Sequence, residues 1–187
     1  MDFVSQIRAY RPRSRAEEAD REMILHYISL YPDTILLREN KVCHMTASGL
    51  VVSPDGEQVL MARHNIYKVW AWLGGHCDGE GDLLSVARRE VEEESGVTGL
   101  RALSTDMASL EILPVWGHVK RGEYVPSHLH LNVSFLFTAD PAAPLRRREG
   151  ENSAVGWLPV EGLYRRTNEW QMDPVYAKLL ERARELL

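Results

Sequence analysis

Cysteine is nearly absent: Cys43 and Cys77 are the two in 187 residues, too few for a disulfide framework, so a reducing, cytoplasmic setting is expected. Long apolar runs are missing as well. No apolar signal region opens the chain and no segment approaches the roughly 20 apolar residues of a spanning helix, so no membrane partner is expected. There is no basic excess either. A formal net charge of -5 argues against a nucleic-acid backbone as the main partner. Small phosphorylated ligands stay open, because a metal ion and a few arginines can neutralise them locally. Internal repeats and low-complexity tracts are also lacking, which excludes solenoids and disordered arrays.

What is present is enough for one sizeable core, since 44% of the 187 residues are hydrophobic and one domain is the economical count. Residues 1–13 read as basic and irregular. Ser14 offers an N-cap to a helix running to about Tyr31, with Ile24, Leu25, Ile28 and Tyr31 as its apolar face. Docking on the core is expected of that helix; covering a homodimer interface or gating a site are its other uses. The chain accordingly divides into an N-terminal extension with one helix, residues 1–40, and a main domain, residues 41–187. Two β-rich runs, Cys43 to Ser53 and Gln58 to Arg63, flank the turn Ser53-Pro54-Asp55-Gly56, a hairpin signal. A shorter run, Val69 to Leu73, leads into a glycine pair. Leu110 to Lys120 and Leu129 to Asp140 read as strands separated by a polar loop, Arg121 to Ser127. The second alternates, with Leu129, Leu131, Val133, Phe135 and Phe137 on one face and His128, His130, Asn132 and Ser134 on the other. A short strand, Ala154 to Pro159, follows a loop carrying Arg146-Arg147-Arg148, and Asp173-Pro174 caps and starts a C-terminal helix. Strands before and after a helix, with a closing helix, make the fold class α/β or α+β.

The chemistry concentrates between Gly74 and Val97. Counting about 100° per residue, Leu83, Val86, Ala87, Glu90 and Glu94 share one helix face and Glu93 flanks it. The apolar stripe turns acidic partway along. Carboxylates on a core-facing stripe need a positive partner, and Arg88 and Arg89 point mostly elsewhere. A divalent cation with hard oxygen ligands, Mg²⁺ or Mn²⁺, fits that need, whereas a solvated helix end is the plain alternative.

The spacing resembles the Nudix box of the Nudix hydrolase superfamily: Gly75, then Arg89-Glu90 with aliphatic Val91, then Glu93-Glu94, Gly96 and aliphatic Val97. Eight of the nine fixed positions match; the ninth holds Gly81 where the box has glutamate. The resemblance, covering roughly Cys43 to Val160, implies the Nudix fold, a mixed β-sheet sandwiched between α-helices. It also implies that Glu90, Glu93 and Glu94 hold the metal and that Arg89 orients a glutamate. In the family the missing glutamate braces the arginine, so Glu80, Asp78 or Asp82 is expected to pair with Arg89 instead. Gly74 and Gly75 are expected to turn the chain tightly where strand meets box, and Gly96 to stop the helix. Glu92 falls on the variable position and reads as solvated.

His76 directly follows the glycine pair, and His44 opens a strand, positions that would bring both near the metal mouth; His76 is carried as a metal ligand. A similar arrangement occurs in isopentenyl diphosphate isomerase, which shares the fold and uses a cysteine and a glutamate for proton transfer, and Cys77 invites that comparison. The isomerase places its cysteine before the histidine and carries a tryptophan-centred acidic motif that is missing here. The intact Arg-Glu and Glu-Glu pairs favour hydrolysis. Gly75, His128 and His130 are carried as substrate-binding residues, and the attacking water's base is expected to be Glu94 or the loop acid Glu151. Arg146 to Arg148 read as a solvated basic loop, and Trp72, Trp116 and Trp157 as core residues. The expected activity is metal-dependent hydrolysis of a diphosphate linkage in a nucleoside diphosphate joined to another moiety. An isomerase-like enzyme and a catalytically silent nucleotide sensor are the alternatives.

Overall fold

The computed structural model describes residues 2–65, 68–120, 122–150 and 152–187. Its organising pair is β1 (Cys43–Val52) beside β9 (His128–Thr138), the two running parallel in unbroken register from Cys43 opposite Leu129 to Val52 opposite Thr138. Parallel neighbours are buried on both faces, and every residue of β1 is buried. Antiparallel strands complete the sheet. β2 (Gln58–His64) pairs with the far end of β1, and β10 (Asn152–Pro159) lies outside β2. β4 (Leu73–His76) pairs with the middle of β1. β6 (Ser109–Val115) and the short β5 (Arg101–Ala102) line β9, and β3 (Trp70–Ala71) pairs with β2.

Alternation along the strands sends two sets of side chains to two helical layers. Met45, Ala47, Val51, Val133, Phe135 and Phe137 pack with Val86, Ala87 and Val91 of α3 (Leu83–Ser95), the box helix. Leu50, Val52 and Leu136 pack on the other side with Val175, Tyr176, Leu179 and Ala183 of α5 (Asp173–Leu186). The sheet is mixed and sandwiched between helices, as the sequence implied.

Residues 1–40 carry two helices, not one, because the basic opening segment folds. Asp2 accepts a hydrogen bond from Ser5 N at 2.9 Å and caps α1 (Phe3–Ala9), which buries Ile7. α2 (Arg15–Leu30) starts at Ser14 as expected and buries Ile24 and Ile28. These three isoleucines and Ile35 join the α3 core, each contributing on the order of 2 kcal/mol of apolar burial. Beyond α2 the chain is tied to β1 and to the box loop, Met45 N donating to Ile35 O at 2.7 Å and Gly79 N to Leu36 O at 3.0 Å. Glu17 of α2, 2% exposed, bonds Lys178 Nζ and Arg182 Nη2 of α5, each at 3.0 Å, and accepts from Arg13 N at 2.7 Å. Burial works to raise its pKa, but Arg182, the Arg13 amide and Lys178 outweigh it and pull the carboxyl down to about 2.

Several smaller expectations change. The run Val69 to Leu73 splits into β3 and the start of β4. The segment Leu110 to Lys120 is broken after Val115, and its end pairs as β7 (His118–Lys120) with β8 (Glu123–Val125), so the polar loop is partly a hairpin. Asp173 is the first helical residue of α5 and Met172 precedes it as the cap. A short α4 (Tyr164–Thr167) had no apolar period to announce it. The polar face of β9 is buried at Asn132 and Ser134 and half-buried at His128 and His130: Asn132 accepts from Thr46 Oγ1 at 3.0 Å and Ser48 Oγ at 2.8 Å, and donates to Ser134 Oγ at 3.0 Å. Trp116 lies outside the core, 72% exposed just past β6.

Candidate active site

Helix α3 aims its carboxyl end at the glycine pair. Gly74 and Gly75 do not form a tight turn; they lie within β4, and what they supply is clearance. A Cβ at Gly75 would stand 2.5 Å from Glu90 Cδ, and one at Gly74 would stand 2.7 Å from Ser48 Cα. Glu90 therefore rests directly against the Gly75 backbone, while Gly74 N donates to Glu94 Oε2 at 3.3 Å. Gly96 ends α3 with φ 64°, the left-handed value a helix stop favours.

Two arginines compensate the carboxylates. Arg89 Nη2 lies 3.0 Å from Glu90 Oε1 and 3.4 Å from the His76 carbonyl oxygen, and its Nε 4.0 Å from Glu93 Oε1. Arg148 Nη1 lies 3.0 Å from Glu93 Oε2 and 3.9 Å from Glu90 Oε2. The acids expected to replace the missing box glutamate have other partners. Asp78 pairs with Arg38, Asp82 caps α3 through Ser85 N at 3.1 Å, and Glu80 accepts from Asp82 N at 2.8 Å. Position 81 instead faces α1, with Phe3 the nearest side chain, and Arg89 braces itself on Glu90 of its own helix.

The arginine run is exposed at Arg146 and Arg147, as a solvated loop would be, but its backbone is anchored to the end of α3 and Arg148 turns to the glutamates. Arg146 N donates to Ser95 O at 2.7 Å and Arg148 N to Glu94 O at 3.3 Å, satisfying carbonyls that a helix end leaves without partners. Even so, Glu90 keeps a raised pKa: burial is the largest cause and Glu93 adds to it, against Arg89 and Arg148. A half-buried carboxylate beside a second one matches the oxygen donor set a hard divalent cation takes.

The histidines form a second cluster. Residues alternate sides along β4, so Gly75 faces Glu90 and His76 faces the other side of the sheet. There it meets His44 and His130, whose ring centroids lie 5.0 and 5.1 Å from its own, and His128 lies 5.1 Å from His130. Thus His76, His128 and His130 gather with one another and with His44, not around the glutamates. Burial, followed by the His76, His44 and His128 rings, pulls His130 down to about 2. Cys77 points back into the α3 core, 1% exposed, and burial chiefly pushes its thiol up to about 12. Glu151 lies outside the described residues.

A family model, the NUDIX domain, matches residues 44–182. The chain belongs to the Nudix family. Nudix hydrolases cleave diphosphate linkages, and the α3 carboxylates with Arg89 occupy the family's box. Solved structures with this fold include an Ap4A hydrolase of C. elegans in a binary complex, 18% identical over 72% of this chain and 93% of its own, with a TM-score of 0.53. A NUDIX-family hydrolase of Clostridium perfringens is 21% identical over 74% and 96%, with a TM-score of 0.51. At such identities the likeness speaks to the fold. No curated protein matches the chain.

Sequence reasoning missed two things here. Arg148 looked like one charge in a basic run, and no local pattern marks which arginine a distant helix end will hold. His44 was expected near the metal mouth, and only the register that sets it opposite His130 shows that it joins the other histidines instead.

Proposed function

We propose that this Nudix protein is a metal-dependent hydrolase that splits the diphosphate of a nucleoside diphosphate joined to another moiety, with Mg²⁺ or Mn²⁺ as its ion. The observation that carries the reading is the convergence of Glu90 and Glu94 on the Gly74-Gly75 backbone, with Glu93 joined to Glu90 through their shared cations Arg89 and Arg148. Glu90 and Glu93 would hold the ion, which supplies charge neutralisation at the diphosphate oxygens. Arg89 fixes the Glu90 carboxylate. Arg148, which pairs with Glu93 at 3.0 Å, would be available to a phosphate oxygen once Glu93 held the ion. The attacking water gives its proton to a carboxylate, Glu94 or Glu151, and comparing Glu94→Gln with Glu151→Gln separates these roles: the base variant loses kcat while still binding metal. Isomerase-like proton transfer by Cys77 is disfavoured by its buried, weakly acidic thiol on the core side of β4.

The test is a panel of nucleoside-diphosphate derivatives incubated with Mg²⁺ or Mn²⁺, with products separated by ion exchange. Cleavage between the two phosphates, dependent on the ion, is expected for at least one class. A panel with no diphosphate split under either ion would overturn the reading.

A further inference from the structure

Four imidazoles on one sheet face, away from the box glutamates, are more than the diphosphate chemistry uses. The candidate ligand nitrogens of His44, His76 and His130 all lie within 4.8 Å of one another. His128 Nε2 lies 3.2 Å from His130 Nε2.

Proton placement follows from the partners. His44 Nδ1 lies 2.9 Å from the Asn40 carbonyl oxygen, which can only accept, so Nδ1 carries the hydrogen and neutral His44 presents a bare Nε2 lone pair. That Nε2 is buried, with no hydrogen-bond partner, in a residue 3% exposed. An acceptor left without a partner there is costly to bury. His128 repeats the pattern, Nδ1 lying 2.8 Å from the Pro126 carbonyl oxygen. An imidazole whose far nitrogen is locked by a backbone carbonyl is the usual form of a metal-bound histidine. The outer shell is itself held: Asn40 Oδ1 accepts from Val42 N at 3.1 Å and Cys43 N at 3.3 Å, and its amide donates to Thr34 Oγ1 at 3.3 Å.

We propose that His44, His76 and His130, with His128 beside them, form a transition-metal site of the Zn²⁺ class, separate from the glutamate site. Neutral imidazole nitrogens suit Zn²⁺, Co²⁺ or Ni²⁺ and not Mg²⁺. Bonds of about 2.0–2.1 Å to a tetrahedral Zn²⁺ put ligand nitrogens roughly 3.3 Å apart. His128 and His130 already meet that spacing, and the other ligand nitrogens, within 4.8 Å of one another, reach it by closing at most about 1.5 Å through their side-chain torsions. β4 connects the two sites, since the His76 carbonyl accepts from Arg89 while its ring joins the histidines. The inference does not rest on the hydrolase reading.

The test uses the full chain, stripped with a chelator and equilibrated with Zn²⁺ in excess Mg²⁺, with bound zinc measured by elemental analysis. One Zn²⁺ per chain is expected, with ring ¹⁵N resonances of His44 and His130 shifted in the wild type and a Co²⁺-substituted sample showing a tetrahedral visible spectrum. His130→Gln and His44→Gln are expected to weaken Zn²⁺ by more than the roughly 10–100-fold that losing an outer-shell partner costs. Glu93→Gln is expected to bind Zn²⁺ within about threefold of wild type. Wild-type protein that retains no Zn²⁺, or zinc lost in Glu93→Gln but kept in His130→Gln, would overturn the site. If either histidine variant fails to fold, the wild-type ¹⁵N spectrum decides: histidine resonances that do not move with Zn²⁺ reject the proposal.

Discussion

Gly75→Ala separates the seat of Glu90 from the stability of the fold. Gly75 is not among the positive-φ glycines, so its backbone accepts alanine, and the stiffer unfolded chain contributes about 0.4–1 kcal/mol of stability. Against this, the new Cβ stands 2.5 Å from Cδ and 3.0 Å from Cγ of Glu90. Carbon atoms prefer about 3.5–4 Å, so the carboxylate must move by roughly 1 Å. The obstacle is the far end of a flexible side chain, and an off-rotamer Glu90 costs about 0.5–1.5 kcal/mol. The two terms nearly cancel, so Tm is expected to stay within a few degrees. Catalysis tolerates the shift far less: a displacement near 1 Å costs about 10²-fold in rate, or roughly 2.7 kcal/mol of barrier. The assay is kcat at saturating Mg²⁺ on the best substrate of the panel, with Mn²⁺ affinity by electron paramagnetic resonance and fold by circular dichroism. A folded Gly75→Ala enzyme with kcat within about threefold of wild type would refute the reasoning.

Arg148→Gln removes the cation that competes for Glu90 and Glu93; because the pair is partly exposed, Mn²⁺ affinity should rise by roughly up to fivefold, and an unchanged or weaker affinity contradicts that role. Glu17 is depressed from 4.5 to about 2 in the folded chain, so its contribution is fully present above about pH 4.5 and lost as pH falls through 2, on the order of 3 kcal/mol. Urea melts of wild type and Glu17→Gln should therefore converge between those values, and a constant difference from pH 7 to pH 2 argues against the buried ion cluster. Cys43 and Cys77 are both buried, and burial raises both thiols. A thiol reagent at pH 8 should modify neither in the native chain and both after unfolding; rapid native labelling of Cys77 would reopen its candidacy as a proton donor.

The box helix, the central strands and the closing helix were legible because each carries its own period or cap. Val86, Ala87 and Glu90 fall at helical spacing, Ser14 is an N-cap, and β9 alternates. Position 81 shows where local reading stops: the acids nearest to the missing glutamate in sequence were the natural substitutes for it, yet each is engaged by Arg38, Ser85 or Asp82. Arg89 turns instead to Glu90, a choice set by side-chain reach in three dimensions. The histidines make the same point through register. His128 and His130 belong visibly to one strand face, but whether that face looks towards the glutamates depends on the alternation of β4, which a four-residue strand does not announce. The glycine pair suggested a turn because glycine is common there, whereas its reason here is the close approach of Glu90 and Ser48, a tertiary fact.

The most direct test of the account is the initial rate of diphosphate cleavage against Mg²⁺ concentration for wild type and Glu93→Gln on one substrate. The account predicts saturable metal dependence in the wild type. For Glu93→Gln it predicts a loss of about 10²–10³-fold in kcat with the fold intact, as expected when a charge at the reacting phosphate is removed. Metal-independent turnover, or a Glu93→Gln enzyme within about threefold of wild type, would contradict the claim that the carboxyl end of α3 is the catalytic centre.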